Sequence, residues 1–233
     1  MGSCTSCFVL LSMSSSAAAC MGFFLPYWIK GQLRVASAIN TATFFGSFRR
    51  CTFPQISQDK TELVIVNECG RYESFLDVPS VAWQMATLLV GLGVSLSLFA
   101  SVMSFLACWV PHLWTQLFFR ALLALHLAAG LLIVLGICIY PLGWDQREVR
   151  DACGNSDKFR LGSCRLYWCY FILIAAGAAE FVLSFSSWRL SPAAYPSQEL
   201  DEEAYGSGGV PMVSLDRNGC SRYHPSDVQG HEV

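Results

Sequence analysis

Four long apolar blocks, at about 6–29, 81–110, 117–140 and 166–188, alternate with polar intervals along the chain. Each meets the roughly 20 residues that an α-helix rising 1.5 Å per residue needs to cross about 30 Å of hydrocarbon. Within them the only full charges are Arg120, near the start of the third block, and Glu180, inside the fourth. A helix packed on a soluble core would carry a polar stripe for water. These carry none, and lipid leaves backbone groups no partner outside a helix or closed barrel. The pattern therefore predicts four membrane-spanning helices. The first block ends a small-residue run, Ala17-Ala18-Ala19, that resembles a cleavage site. It lacks a basic leading segment and is longer than a signal core, so it reads as a span.

The polar intervals divide the chain into a short N-terminus (1–5), a first loop (30–80), a short loop (111–116), a further loop (141–165) and a tail (189–233). The short loop forces the second and third spans into an antiparallel hairpin. An even number of crossings places both termini on one side and the two larger loops together on the other. In the first loop, Ala42–Phe48 and Thr61–Val66 read as strands, with turns at Pro54 and around Gly70. They predict a small antiparallel sheet on the helical bundle. The tail, with Ser191–Pro196, the acidic 199–203 and Gly206–Gly209, lacks the apolar content to fold and reads as disordered. Its end, His231-Glu232-Val233, offers a weak match to carboxylate capture by strand addition.

Composition agrees with a membrane chain: 54% of residues are hydrophobic and 14% charged, against roughly 25% charged in soluble domains. A net charge of −2 supplies no basic field for nucleic acid. Cysteine usage changes the picture more. Cys51 and Cys69 lie in the first loop, Cys153 and Cys164 in the loop at 141–165. Two loops on one side, each with a cysteine pair, predict two disulfides in an oxidising compartment, the alternative being four reduced thiols. No histidine accompanies them, which disfavours zinc, and no metal or cofactor is expected. The same loops also carry most of the Lys and Arg, which by the positive-inside rule would place them in the cytoplasm. The cysteines override that rule here, because folded loops translocate regardless of charge. The termini are then cytoplasmic, with the plasma membrane as the expected location.

Candidate chemistry is sparse. Met1-Gly2-Ser3-Cys4-Thr5-Ser6 fits the acylation pattern, with Cys4 and Cys7 as lipidation candidates. Cys4-x-x-Cys7 as a redox pair lacks helper residues. A carboxyl group near mid-span, as in Glu180, should face the bundle interior and find a partner, for which His126 in the third span is the candidate. A structural hydrogen bond is favoured over a proton or ion pathway. No paired intramembrane aspartates, metalloprotease motif or phosphate loop occurs, so no catalysis is expected. Small residues at Ser12–Gly22, Gly91 and Gly93, Ala128–Gly130 and Ala175–Ala179 predict a close-packed bundle. Tyr27, Trp28, Trp144, Trp168 and Trp188 fall at span ends, where an interfacial aromatic belt is expected.

Trp28, then Gly46-Ser47-Phe48-Arg49-Arg50-Cys51 and Cys69, resembles the first-loop signature of the claudin superfamily, with Phe48 in place of its second tryptophan. Phe24–Trp28, Glu68–Phe75 and Tyr140–Asp145, continuing through Glu148–Arg150, Cys153-Gly154 and Leu161–Cys164, are more specific. Over about residues 20–190 the chain resembles the lipoma-HMGIC-fusion-partner-like (LHFPL) tetraspan family, most closely its founding-type members. The resemblance implies a mainly α membrane protein, a claudin-like left-handed four-helix bundle with a small extracellular antiparallel β-sheet. It also implies an accessory or scaffolding subunit that assembles with, and traffics, a larger integral membrane protein: a channel, receptor or adhesion complex. The residues expected to meet such a partner are Phe44, Phe45, Phe48, Arg49, Arg50, Arg71, Tyr72 and Phe75. The alternative is a claudin-like cell-contact or paracellular-barrier protein, which self-associates. The first loop argues against that, since its six basic and five acidic residues nearly cancel where a pore lining needs one sign.

Overall fold

In the computed structural model the described residues are 3–34, 40–56, 63–110, 113 and 115–190. Four long helices, α1 (Ser3–Phe24), α2 (Val81–Ala107), α3 (Gln116–Ile139) and α5 (Trp168–Leu190), form the bundle. All four are long and apolar enough to cross a membrane. Consecutive packing of α1 on α2, α2 on α3, α3 on α5 and α5 on α1 closes them into a ring. The spans differ from the expected blocks at their ends. α1 stops at Phe24, short of residue 29, because Pro26 cannot continue the helix and disfavours the helical region for the residue before it. Ser80 and Thr115 cap α2 and α3, each side chain accepting a hydrogen bond from the backbone N–H three residues on.

Close approach of α2 and α3 rests on missing side chains. A Cβ on Gly136 would lie 2.5 Å from Val90 Cγ2 and 3.1 Å from the Ala86 carbonyl. Without a hydrophobic driving force between helices in lipid, such contacts are what hold them together.

One side of the bundle carries a five-stranded antiparallel sheet in the order β4-β3-β2-β1-β5, with β1 Ile29–Arg34, β2 Asn40–Phe45, β3 Arg49–Ile56, β4 Leu63–Arg71 and β5 Arg165–Leu166. Four strands come from the first loop and the fifth from the segment before α5, so both loops build one sheet. Two sequence expectations need correction. Pro54 lies inside β3, not at a turn; β2 pairs with β3 only at Cys51 and Arg50, so at Pro54 the strand is flanked by β4 alone and the absent N–H is tolerated. Gly70 lies in β4 opposite Arg50. The second strand also ends earlier than expected, at Phe45, and Gly46 leads the turn into β3.

The sheet is bolted to the bundle by aromatic rings. Trp28 packs on Tyr140 at 4.7 Å between centroids, and Tyr140 stacks on Trp83 at 4.9 Å. Trp28 Nε1 donates to the Gly22 carbonyl, Trp83 Nε1 to the Tyr140 carbonyl, and the Tyr140 hydroxyl to the Gly46 carbonyl. Burial of three large rings with every polar atom satisfied makes this junction rigid. Trp28 and Trp144 are therefore core residues, not members of an interfacial belt; Trp168 and Trp188 are exposed as a belt requires. The short helix α4 (Arg147–Cys153) ends on the first cysteine of the later loop.

Candidate functional site

Midway along the bundle one polar side chain from each span converges on a single carboxylate. Glu180 of α5 accepts on Oε1 from Ser15 Oγ of α1 (2.8 Å) and Ser97 Oγ of α2 (2.7 Å). Its Oε2 lies 2.7 Å from His126 Nδ1 of α3, which donates when it bears the proton. Both Glu180 and His126 are fully buried. Room for the carboxylate comes from Gly130, where a Cβ would sit 3.1 Å from the Glu180 Cβ. The second ring nitrogen of His126 has no hydrogen-bond partner among the described residues, and the ring meets the Phe8 ring edge-on at 6.0 Å. An acid and an imidazole so enclosed form a four-way interhelical tie. Lipid offers Glu180 no substitute acceptor or donor, so each of these bonds holds a helix in place.

Sequence reasoning put Glu180 and His126 forward, and the structure brings them together. It missed Ser15 and Ser97. Their signal was faint: hydroxyls in apolar helices usually bond their own preceding turn, as Ser95, Ser104 and Ser187 do here.

On the sheet side, Cys51–Cys69 and Cys153–Cys164 are disulfide-bonded. The first joins residues directly opposite each other in β3 and β4. Beside it the register slips at Thr52, whose φ of 57° is unusual for a β-branched residue. Thr43 Oγ1 donates to the Cys51 and Thr52 carbonyls and supports that bulge. The two loops are then joined by a polar knot. Arg50 pairs with Glu148 Oε1 at 2.7 Å, Tyr72 donates its hydroxyl to Glu148 Oε2 at 2.9 Å, and the Arg50 guanidinium lies over the Tyr72 ring. Burial first, then the Glu148 carboxylate, push the Tyr72 pKa well above the usual phenol range, with Arg50 opposing. Tyr72 thus remains a donor.

The residues expected to meet a partner separate into two groups. Phe45 and Tyr72 are buried; Phe44 packs on Tyr27 and Tyr167, Phe48 on Phe23 and Phe24, Arg49 donates to the Phe24 carbonyl, and Arg50 belongs to the knot. These shape the platform from within. Arg71 and Phe75 are exposed. A more prominent surface residue went unread: Phe159, 62% exposed, sits within the Cys153–Cys164 loop with φ of 59°, a backbone region costly for a bulky side chain. It is held there by its N–H on the Pro141 carbonyl and by the reciprocal backbone hydrogen bonds between Asp157 and Arg160. No side-chain pattern announces a positive φ at a phenylalanine.

At the opposite end, exposed Cys7 borders a groove of about 230 Å³ between α1 and α5 with Phe8, Leu11 and Arg189. The expectations for Gly2, the Cys4 side chain and the tail beyond 190 lie outside the described residues.

A family model described as lipoma HMGIC fusion partner-like protein matches residues 5–192. The chain is 31% identical to LHFPL tetraspan subfamily member 3 protein of Danio rerio over 172 residues, 72% of each chain. It is 31% identical to the member 3 protein of Mus musculus over 185 residues, 78% of this chain and 73% of that one. With LHFPL tetraspan subfamily member 5 protein of Gallus gallus it shares 31% over 182 residues, 78% of this chain and 76% of the relative.

Proposed function

We propose, from the premise that this chain belongs to the lipoma HMGIC fusion partner-like tetraspan family, that it is a non-catalytic accessory subunit of a larger integral membrane protein. In this reading the loops face the exterior of the plasma membrane, the termini the cytoplasm, and the sheet platform docks the partner's outer domain. The observation that carries it is Phe159: a large apolar ring, exposed and in a strained backbone, at the tip of a disulfide-closed loop between Lys158 and Arg160. Buried aromatic anchors ringed by polar residues carry most of the energy in protein interfaces. Strain maintained at an exposed position has no packing role inside this chain, and strained residues gather at functional sites.

The test is capture of the full chain from cells in mild detergent, wild type against Phe159→Gly. Glycine tolerates the positive φ, so the variant should fold with stability within about 1 kcal/mol of wild type. A stoichiometric membrane protein should accompany the wild type, and the variant should lose it by tenfold or more, about 1.4 kcal/mol. Equal recovery of the partner with the variant refutes the anchor. Recovery of self-associated chains at cell borders, without another protein, supports the cell-contact alternative instead.

A further inference from the structure

A groove of about 390 Å³ runs from the sheet down the flank of α1 and α2, lined by Phe23, Phe48, Arg71, Glu73, Phe75 and Val78 among others. It falls within the roughly 300–1,000 Å³ of small-molecule sites. Its inner end reaches Thr87, about 9 Å along α2 from Val81 at 1.5 Å per residue, within the stretch of α2 that is long and apolar enough to cross a membrane. The lining there is apolar: the rings of Phe23 and Phe48, packed on each other at 5.1 Å between centroids, with Val78. The outer end is charged. Arg71 lines it and stands directly opposite Arg49 across β3 and β4, a like-charge pairing that is unfavourable by itself; Arg49 is held on the Phe24 carbonyl, which leaves Arg71 as the guanidinium that faces the groove. Glu73 and the half-exposed Phe75 ring occupy the same mouth.

One opening thus presents an apolar slot along a membrane-spanning helix, a guanidinium group above it, and a carboxylate with an aromatic ring beside that. We infer that it is a binding site for a zwitterionic phospholipid of the sheet-side leaflet. The phosphate lies on Arg71, the quaternary ammonium against Glu73 and Phe75, and one acyl chain in the slot. Guanidinium groups match phosphate geometry and aromatic faces attract quaternary ammonium ions, so the two headgroup charges are read in the order that the mouth supplies them. A purely anionic lipid satisfies Arg71 and leaves Glu73 opposed. A partner's apolar helix fills the slot and leaves Arg71 without an anion.

The full chain in nanodiscs carrying a trace of phosphatidylcholine with a photoactivatable group on its acyl chain tests this. Labelling should concentrate on the peptides containing Phe23, Phe48 and Val78–Thr87, well above that of the lipid-facing residues Leu131 and Leu135 of α3. Arg71→Gln should lower labelling at the groove by about tenfold, as loss of a charge-assisted hydrogen bond predicts. Ser74→Trp, which places an indole at the lining of the groove, should lower it at least as far. Retention of both disulfides establishes that each variant has folded, and either variant alone suffices for the test. Uniform labelling along all four helices, labelling unchanged in a folded variant, or equal labelling by a phosphatidylglycerol probe each overturns the assignment.

Discussion

Glu180 shows how much a single side chain can organise in a medium without competing solvent. Three hydrogen bonds reach it, from Ser15, Ser97 and His126, and interhelical hydrogen bonds in lipid average about 0.6 kcal/mol each. Glu180→Ala should therefore destabilise the bundle by about 2 kcal/mol, and Ser97→Ala by about 0.6 kcal/mol, measured by reversible unfolding in bicelles. Glu180→Gln retains an acceptor for the serines and should fall between them. If Glu180→Gln instead abolished capture of the partner while leaving stability intact, the carboxylate would have a role beyond tying helices. Its need for an inward partner was legible from charge and span length alone, and His126 was the one titratable residue at a suitable depth. The serines were not legible, because a hydroxyl can satisfy itself on its own helix.

At the scale of elements, the sequence announced the helices plainly and the sheet only in part. Helix lengths follow from blocks of apolar residues, except at the first block, which runs on through Pro26 to residue 29 while α1 ends at Phe24. The strands are harder, since β1 and β5 are short and pair across a long stretch of chain, Ile29 with Leu166. Gly136 carries the α2–α3 contact, and Gly136→Ala should weaken it by about 1–3 kcal/mol, the usual cost of overpacking; the same bicelle unfolding measures it. The disulfides act on loops, not on the bundle. Cys153→Ser with Cys164→Ser should leave the four helices intact by circular dichroism. It should free the Phe159 loop, so that limited proteolysis cuts between residues 154 and 163 where the wild type resists. Removal of Cys51–Cys69, with 18 residues of separation, should cost about 3 kcal/mol in the chain-entropy treatment, read as a fall in the thermal midpoint.

For the molecule as a whole, orientation sets the cysteines against the basic residues of the loops, which point to opposite sides of the membrane. An epitope tag inserted beside Asn40 should be stained by antibody on intact cells. Staining only after permeabilisation would place the loops in the cytoplasm, where stable disulfides are not expected. Family membership and four crossings stand apart from that result.

Crossing number, the α2–α3 hairpin and the grouping of four cysteines on one side follow from local composition, because the cost of putting polar groups in hydrocarbon acts on each segment separately. The facing of the helices does not follow in the same way. In lipid both faces of a span are apolar, so the stripe that orients a helix in water is absent, and Trp28 reads the same whether it meets lipid or the core. Packing resolved this: the ring of helices turned Trp28, Ser15 and Ser97 inward and left Phe159 outside. The inward residues owe this to contacts far along the chain: Ser15 and Ser97 meet Glu180 from 165 and 83 positions away, and Trp28 meets Tyr140.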